Sequence, residues 1–271
     1  MENDDKPIGQ ILSRRDALKL LGIGSAAFLA ACTAQEATST STLIPTTEAT
    51  QAIPTQLSPT SASPTSPTAI SALDCVVRPE LTIGPYFVDV QLNRSDIRVD
   101  PSDKSIRPGV PLRLEFQVSR IAGTACTPLR GAMVDVWHCD AAGVYSDVRD
   151  GRFDSRGKQF LRGYQQTNVN GNAEFLTIYP GWYEGRAVHI HFKIRSAAQG
   201  ARAQEFTSQL YFDESVNDQV FKQAPYNSKR GRRVMNDADF LFRRGGKELL
   251  LASTKDAQGY TAKFDIGLQS S

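Results

Sequence analysis

Histidine is scarce in this chain, with three in 271 residues. That scarcity narrows what a catalytic centre can be built from. Cysteine is nearly as rare: Cys32, Cys75, Cys126 and Cys139 are the whole supply. No two stand in a C-x-x-C spacing, so their arrangement does not suggest structural zinc. Charge of one sign is lacking too. The 31 Lys and Arg against 29 Asp and Glu leave a formal +2 with no long basic stripe, which gives no case for a nucleic-acid partner. The apolar run from Leu20 to Ala31 falls short of the roughly 20 residues that a bilayer span requires. Helical periodicity is sparse, with a turn or two expected at 217–224. With 40% hydrophobic and 22% charged residues, the composition is that of a soluble globular protein.

The N-terminus reads as an address. Ser13-Arg14-Arg15-Asp16-Ala17-Leu18-Lys19 resembles a twin-arginine export motif, with Ala17 where a bulky apolar residue is usual. Leu29-Ala30-Ala31-Cys32 resembles a bacterial lipobox, which makes Cys32 the expected lipidation site and residues 1–32 the expected signal. A plain secretory signal is the alternative. Residues 33–72 are rich in Ser, Thr, Pro and Ala, with Glu36 and Glu48 their only charges. Such a segment buries too little apolar surface to offset its chain entropy, so a disordered tether is expected there. The protein is expected to be exported and lipid-anchored, at the outer face of the cytoplasmic membrane, in the periplasm or at the cell surface.

Residues 73–271 form the expected folded domain. Residues 111–118 and 132–138 alternate apolar and polar with a period of two, as strands with one buried face do. Further short strands are expected at 175–178, 188–194 and 209–212, with a hairpin pairing 248–253 with 260–266. Short strands separated by Gly, Pro and Asp turns predict an all-β, two-sheet sandwich. If segments 112–118 and 132–138 form a hairpin, Cys126 and Cys139 lie at its opposite ends, which disfavours a bridge between them.

Two of the three histidines, His189 and His191, stand one residue apart within Val188–Ile194. On a strand both imidazoles project to one face, while Val188, Ile190 and Phe192 fill the other. By itself such a pair serves a metal site or a structural pair equally well. The remaining histidine, His138, shares the apolar face of Val134 and Val136 and is expected to be a core residue. A zinc hydrolase needs a third His or a carboxylate nearby, and a facial Fe(II) triad needs H-x-D or H-x-E, so both readings weaken. Tyrosine then becomes the candidate. Its phenol has a pKa of about 10 and ligates only a strongly acidic cation such as Fe(III). Tyr183, between Gly181 and Gly185, is placed to fold back onto the same ion.

The run Tyr179-Pro180-Gly181-Trp182-Tyr183-x-Gly185-Arg186-x-x-His189-Ile190-His191-Phe192 resembles the signature of the intradiol ring-cleavage dioxygenases, the family of catechol and protocatechuate dioxygenases. Gly84-Pro85-Tyr86-Phe87, Arg94-x-Asp96-Ile97, Val134 to Ser146, Phe160 to Gln165 and Gly171-x-x-x-Phe175-x-Thr177 extend the likeness over most of the domain.

The resemblance implies an Fe(III) held by Tyr145, Tyr183, His189 and His191, with Tyr183 and His191 axial and the other two equatorial. It implies cleavage of a catechol by O2, between the two hydroxyl carbons, to a cis,cis-muconate-type product. Tyr183 is implied to leave the metal and take a substrate proton. Arg186 is implied to stand against the substrate ring, Gln209 to support the site and Tyr86 to line the substrate pocket. Arg94 and Asp96 are read as a structural ion pair. The alternative function is a non-catalytic binding module on the same sandwich, which predicts a broken ligand set. With Cys32 lipidated, three cysteines remain; Cys75 is expected to pair with one of the others, Cys139 being preferred. The oligomeric state stays open, as does the choice of catechol, whose contacts are expected in loops such as 84–94 and 147–160.

Overall fold

The structure, a computed structural model, describes residues 75–196 and 203–269. The expected signal, Cys32 and the tether lie outside the described residues. No helix among the described residues is long and apolar enough to cross a membrane.

Among the described residues, eleven strands and one short α-helix follow one another: β1 (Pro111–Ala122), β2 (Ala125–Pro128), β3 (Met133–Trp137), β4 (Arg149–Asp150), β5 (Phe153–Asp154), β6 (Arg162–Gln166), β7 (Asn172–Ile178), β8 (His189–Ser196), β9 (Gln204–Phe212), α1 (Glu214–Val220), β10 (Leu250–Lys255) and β11 (Tyr260–Gln269). One sheet runs from β1, flanked on one edge by β2 and β7, through β11 to β10. The other runs β10–β9–β8–β3–β6. Strand β10 joins them, pairing with β9 at Leu250 and Leu251 and with β11 from Ala252 to Lys255. The expected all-β sandwich is the observed one.

Period-two patterning sets the core. Leu112, Leu114, Phe116 and Val118 of β1 are fully buried, while Arg113 faces out. Phe116 meets Phe192 of β8 and Phe264 of β11 at ring-centroid distances of 5.4 and 5.9 Å. The first contact joins the two sheets and the second lies within one, and buried apolar surface of this kind contributes about 25 cal/mol per Å². The other face of β8, bearing His189 and His191, is buried as well, under the loops that precede β1 and follow β3.

Several expectations need correction. The hairpin between 112–118 and 132–138 does not form. Strand β2 folds back onto Ser119–Ala122, and the chain then crosses to the second sheet, where β3 pairs with β6 and β8. The disulfide joins Cys75 to Cys126, not to Cys139. The β1–β2 hairpin carries Cys126 to the sheet edge, and Cys75 Sγ lies there beside Gly267. Cys139 is buried on the far side, among Tyr86, Trp137, Tyr145 and Tyr183. Arg94 does not pair with Asp96. Its guanidinium donates to the carbonyl oxygens of Val99, Gln159 and Arg162, and Asp96 accepts from Arg98 at 2.8 Å. The helix starts at Glu214 rather than 217, because Asp213 caps it by accepting from Ser215 N at 2.8 Å.

Candidate metal centre

Strand register builds the floor of the site. On the outward face of the second sheet, Trp137 of β3 lies beside His191 of β8, and His191 beside Gln209 of β9. One step along, His189 lies beside Tyr211. Cross-strand neighbours of this kind are about 5 Å apart, close enough for direct side-chain contact. The Trp137 and His191 rings stack 5.0 Å apart with planes inclined by 7°.

The two imidazoles converge. Their Nε2 atoms are 3.0 Å apart, and His189 Nδ1 lies 2.7 Å from the Ala187 carbonyl oxygen. That carbonyl accepts a hydrogen bond from Nδ1–H, which leaves Nε2 as the lone-pair atom. His191 Nδ1 is buried without a hydrogen-bond partner, so stacking on Trp137 orients that ring instead. Burial, with Arg186 nearby, pushes the His189 pKa down to about 3; burial and His189 push His191 well down too. Both rings are neutral at ordinary pH, the form that ligates a metal.

Two tyrosines close over them. Tyr145 Oη lies 3.4 Å from His189 Nε2. The Tyr183 ring is centred 5.5 Å from that of His189 and 5.6 Å from that of Tyr145. Tyr183 reaches this position through the bend expected at its glycines. Gly185 takes φ +91°, and a Cβ on Gly181 would lie 2.3 Å from the Asp140 carbonyl oxygen. Arg162, buried beneath, donates to Ser146 Oγ at 2.7 Å, to the Ser146 carbonyl and to the Tyr86 carbonyl. It thereby ties the Tyr145 loop to the segment carrying Tyr86, which stacks on Tyr145 at 4.5 Å. Burial first, and then Tyr183, raises the Tyr145 pKa well above 10, so this phenol stays protonated until an acidic cation arrives.

The donor set fits such a cation. Two nitrogens each about 2.0–2.1 Å from one ion lie about 3 Å apart when adjacent in its shell, and the His189–His191 separation is 3.0 Å. Among the described residues no group of three or more His, Cys, Asp or Glu is placed to hold a metal. The candidate site therefore depends on its phenols. His138 stays out of it, with Nε2 2.7 Å from Thr177 Oγ1 and Nδ1 2.8 Å from the Cys139 carbonyl.

Arg186 lies beside this set. Its Nε donates to Asp239 Oδ2 at 2.9 Å, and its Nη2 to Gln209 Oε1 at 2.6 Å and Tyr211 Oη at 3.2 Å. Among the described residues these contacts leave Nη1 without a hydrogen bond. Burial would lower the Arg186 pKa, but Tyr183 and Asp239 outweigh it and raise it. Glu184, two residues before it, pairs with Arg152 at 3.7 Å, so the carboxylate partner of Arg186 is the distant Asp239. Gln209 completes its bonds by donating to the Thr82 carbonyl at 3.0 Å, and Tyr86 donates to Asp150 Oδ2 at 2.6 Å.

The sequence reading missed Tyr211, Asp239, Arg162 and Asp150. Tyr211 was readable, being two residues from Gln209 on one strand face. Nothing local marks Asp239, which reaches the site from a 3₁₀ segment 53 positions beyond Arg186.

Residues 82–240 match a family model described as a dioxygenase. The protocatechuate 3,4-dioxygenase beta chain of Burkholderia cepacia is 30% identical over 182 residues, spanning 63% of this chain and 71% of that one. An intradiol ring-cleavage dioxygenase from Tetranychus urticae has a similar structure, with a TM-score of 0.62 at 32% identity, covering 72% of this chain and 95% of its own. The dioxygenase domain of a dioxygenase–carbohydrate-binding fusion from Streptomyces sp. SirexAA-E gives a TM-score of 0.52 at 29% identity, covering 72% and 100%. The chain belongs to the intradiol ring-cleavage dioxygenases, the family of the catechol and protocatechuate enzymes.

Proposed function

We propose that this protein is an Fe(III) dioxygenase that opens a catechol between its hydroxyl-bearing carbons with O2, giving a cis,cis-muconate-type product. The observation that carries the reading is the convergence of two neutral imidazoles, with Nε2 atoms 3.0 Å apart, and two buried phenols on one spot. Tyr145, Tyr183, His189 and His191 hold the iron. Ferric iron bound there supplies a Lewis acid strong enough to ionise phenols and to activate a bound catecholate toward O2.

The chain's own residues do the rest. Tyr145 and Tyr183 enter as phenolates and balance the cation's charge, and the histidines add no charge. Tyr183 Oη, a phenolate when the metal is bound, would accept one catechol proton as the substrate binds. Arg186, its Nε and Nη2 already held, offers Nη1 to negative charge growing on the ring oxygens. A fixed cation in a buried site stabilises such charge far better than a solvated one. Gln209 and Tyr211 keep the guanidinium from turning. The Tyr86 ring and the loops over the second sheet exclude water.

We further infer that the enzyme works outside the cytoplasm, held by a lipid on Cys32 and reaching out on residues 33–72. An intact ligand set argues against a non-catalytic binding module. The test is spectroscopic and catalytic. Iron-loaded protein is expected to show visible tyrosinate-to-iron absorption and to consume O2 with catechols. A fully iron-loaded, colourless protein that consumes no O2 with any catechol would overturn the proposal.

A further inference from the structure

A cavity of about 450 Å³ opens beside Tyr183. One part of its wall is aromatic and apolar, made by Tyr183, Phe153, Trp182 and Val144. The other part is cationic, made by Arg152, Lys229, Arg230 and Arg232. Glu184 is the one carboxylate in the lining, and Arg152 already engages it. A bare catechol has no use for the cationic wall.

The cations differ in what they are free to do. Lys229 is committed: it donates to the Ala142 carbonyl at 2.8 Å and to the Trp182 carbonyl, and lies 4.2 Å from the Trp182 ring centroid. It pins the 229–232 loop against the cavity wall. Gly231, at φ +109°, packs so closely that a Cβ there would lie 3.1 Å from Trp182 Cη2. Arg230 and Arg232 flank that contact. Both are exposed and neither has a carboxylate partner among the described residues. Two uncompensated guanidiniums are thus held at the mouth of a cavity whose other wall includes Tyr183.

Resting on the ring-cleavage reading above, we propose that this cleft selects catechols bearing a carboxylate on a side arm, with the arm directed to Arg230 and Arg232. Guanidinium is the side chain best matched to a carboxylate, since its planar fork pairs with both oxygens. The aromatic wall accepts the flat arm on the way. Because both arginines are solvated, salt weakens the selection.

The experiment compares caffeate with its methyl ester, which has the same ring and arm without the charge, using the iron-loaded full chain. Oxygen uptake gives kcat/KM for each. Quenching of tryptophan fluorescence under anaerobic conditions gives binding without turnover. At low salt caffeate is expected to exceed the ester about tenfold in kcat/KM and in affinity, and the advantage should shrink toward parity near 1 M salt. In the R230Q/R232Q double variant the ratio of acid to ester is expected to fall to about one. Equal use of acid and ester by the wild type, or a ratio the double variant does not move, would overturn the inference while leaving ring cleavage in place. Failure of the wild type to consume O2 with either ester or bare catechol would instead overturn the ring-cleavage reading. Preferential quenching by the acid would then still mark the cleft as a carboxylate site.

Discussion

Asp239 Oδ2 accepts from Arg186 Nε at 2.9 Å and from Ala187 N at 2.8 Å, while its Oδ1 accepts from Leu241 N and Phe242 N at 2.8 and 3.1 Å. One buried carboxylate thus fixes the arginine, the start of the histidine strand and a 3₁₀ turn together. Burial alone would raise the Asp239 pKa, but Arg186 and the donated N–H groups win and lower it. Asp239→Asn keeps the shape and removes the charge. Breaking a buried pair from one side costs about 3–5 kcal/mol, so the denaturation midpoint should drop markedly. Ring-cleavage kcat should fall more than KM changes, because Arg186 loses the partner that aims it. A variant with wild-type kcat and lower stability would reduce Asp239 to a purely structural role.

Tyr183→Phe removes a phenol from the candidate iron shell without changing the ring volume. The visible absorption of the iron-loaded protein should shift and weaken, and substrate deprotonation should slow. An unchanged spectrum and rate would exclude Tyr183 as a ligand. Removing iron by chelation should bleach the protein and abolish O2 uptake, and adding ferric iron back should restore both.

His138 governs part of the acid sensitivity. Burial pushes its pKa from 6.5 down to about 4. The folded protein therefore carries it neutral, while the unfolded chain binds a proton below pH 6.5. Its contribution to stability is complete above that pH and is lost as the pH falls toward 4. Between pH 7 and 5 the loss is about 2 kcal/mol. His138→Gln should lose about that much less stability than the wild type over the same interval, measured by denaturant unfolding. An equal loss in both proteins would remove His138 as the cause.

The Cys75–Cys126 bridge closes a loop over a separation of 51 residues. By chain entropy it stabilises the fold by about 4 kcal/mol. Reduction, or the paired change of both cysteines to Ser, should lower the unfolding free energy by roughly that amount. Cys139 is buried, and burial pushes its thiol up to about 12. It should resist alkylation in the folded protein and react only on unfolding.

Arg186→Gln should cost about 10²-fold in kcat if its charge stabilises the transition state, the size of effect seen when one such donor is lost. Oxygen uptake at saturating catechol is the measurement, and a loss confined to KM would assign Arg186 to binding alone.

The histidine pair, the strands and the fold class could be read from the chain because each is local. A period of two places His189 and His191 on one face whatever lies around them, and the same rule buries Ile190 and Phe192. His138 is buried as the alternation through Val134 and Val136 led one to expect, although the strand itself ends at Trp137. The hairpin partner of β1, the partner of Cys75 and the carboxylate that aims Arg186 could not be read. Each joins segments whose meeting depends on which sheet the chain enters next, and no local pattern encodes that choice. The sequence, with its family resemblance, nominated the candidate donor types, two imidazoles and two phenols, and the order in which they come. Only the tertiary structure decided that the Nε2 atoms meet at 3.0 Å, that Trp137 backs one of them, and that a cationic loop from 229–232 stands at the cavity beside Tyr183. Those relations arise from packing between elements far apart in the chain, where burial and register, not local propensity, set the geometry.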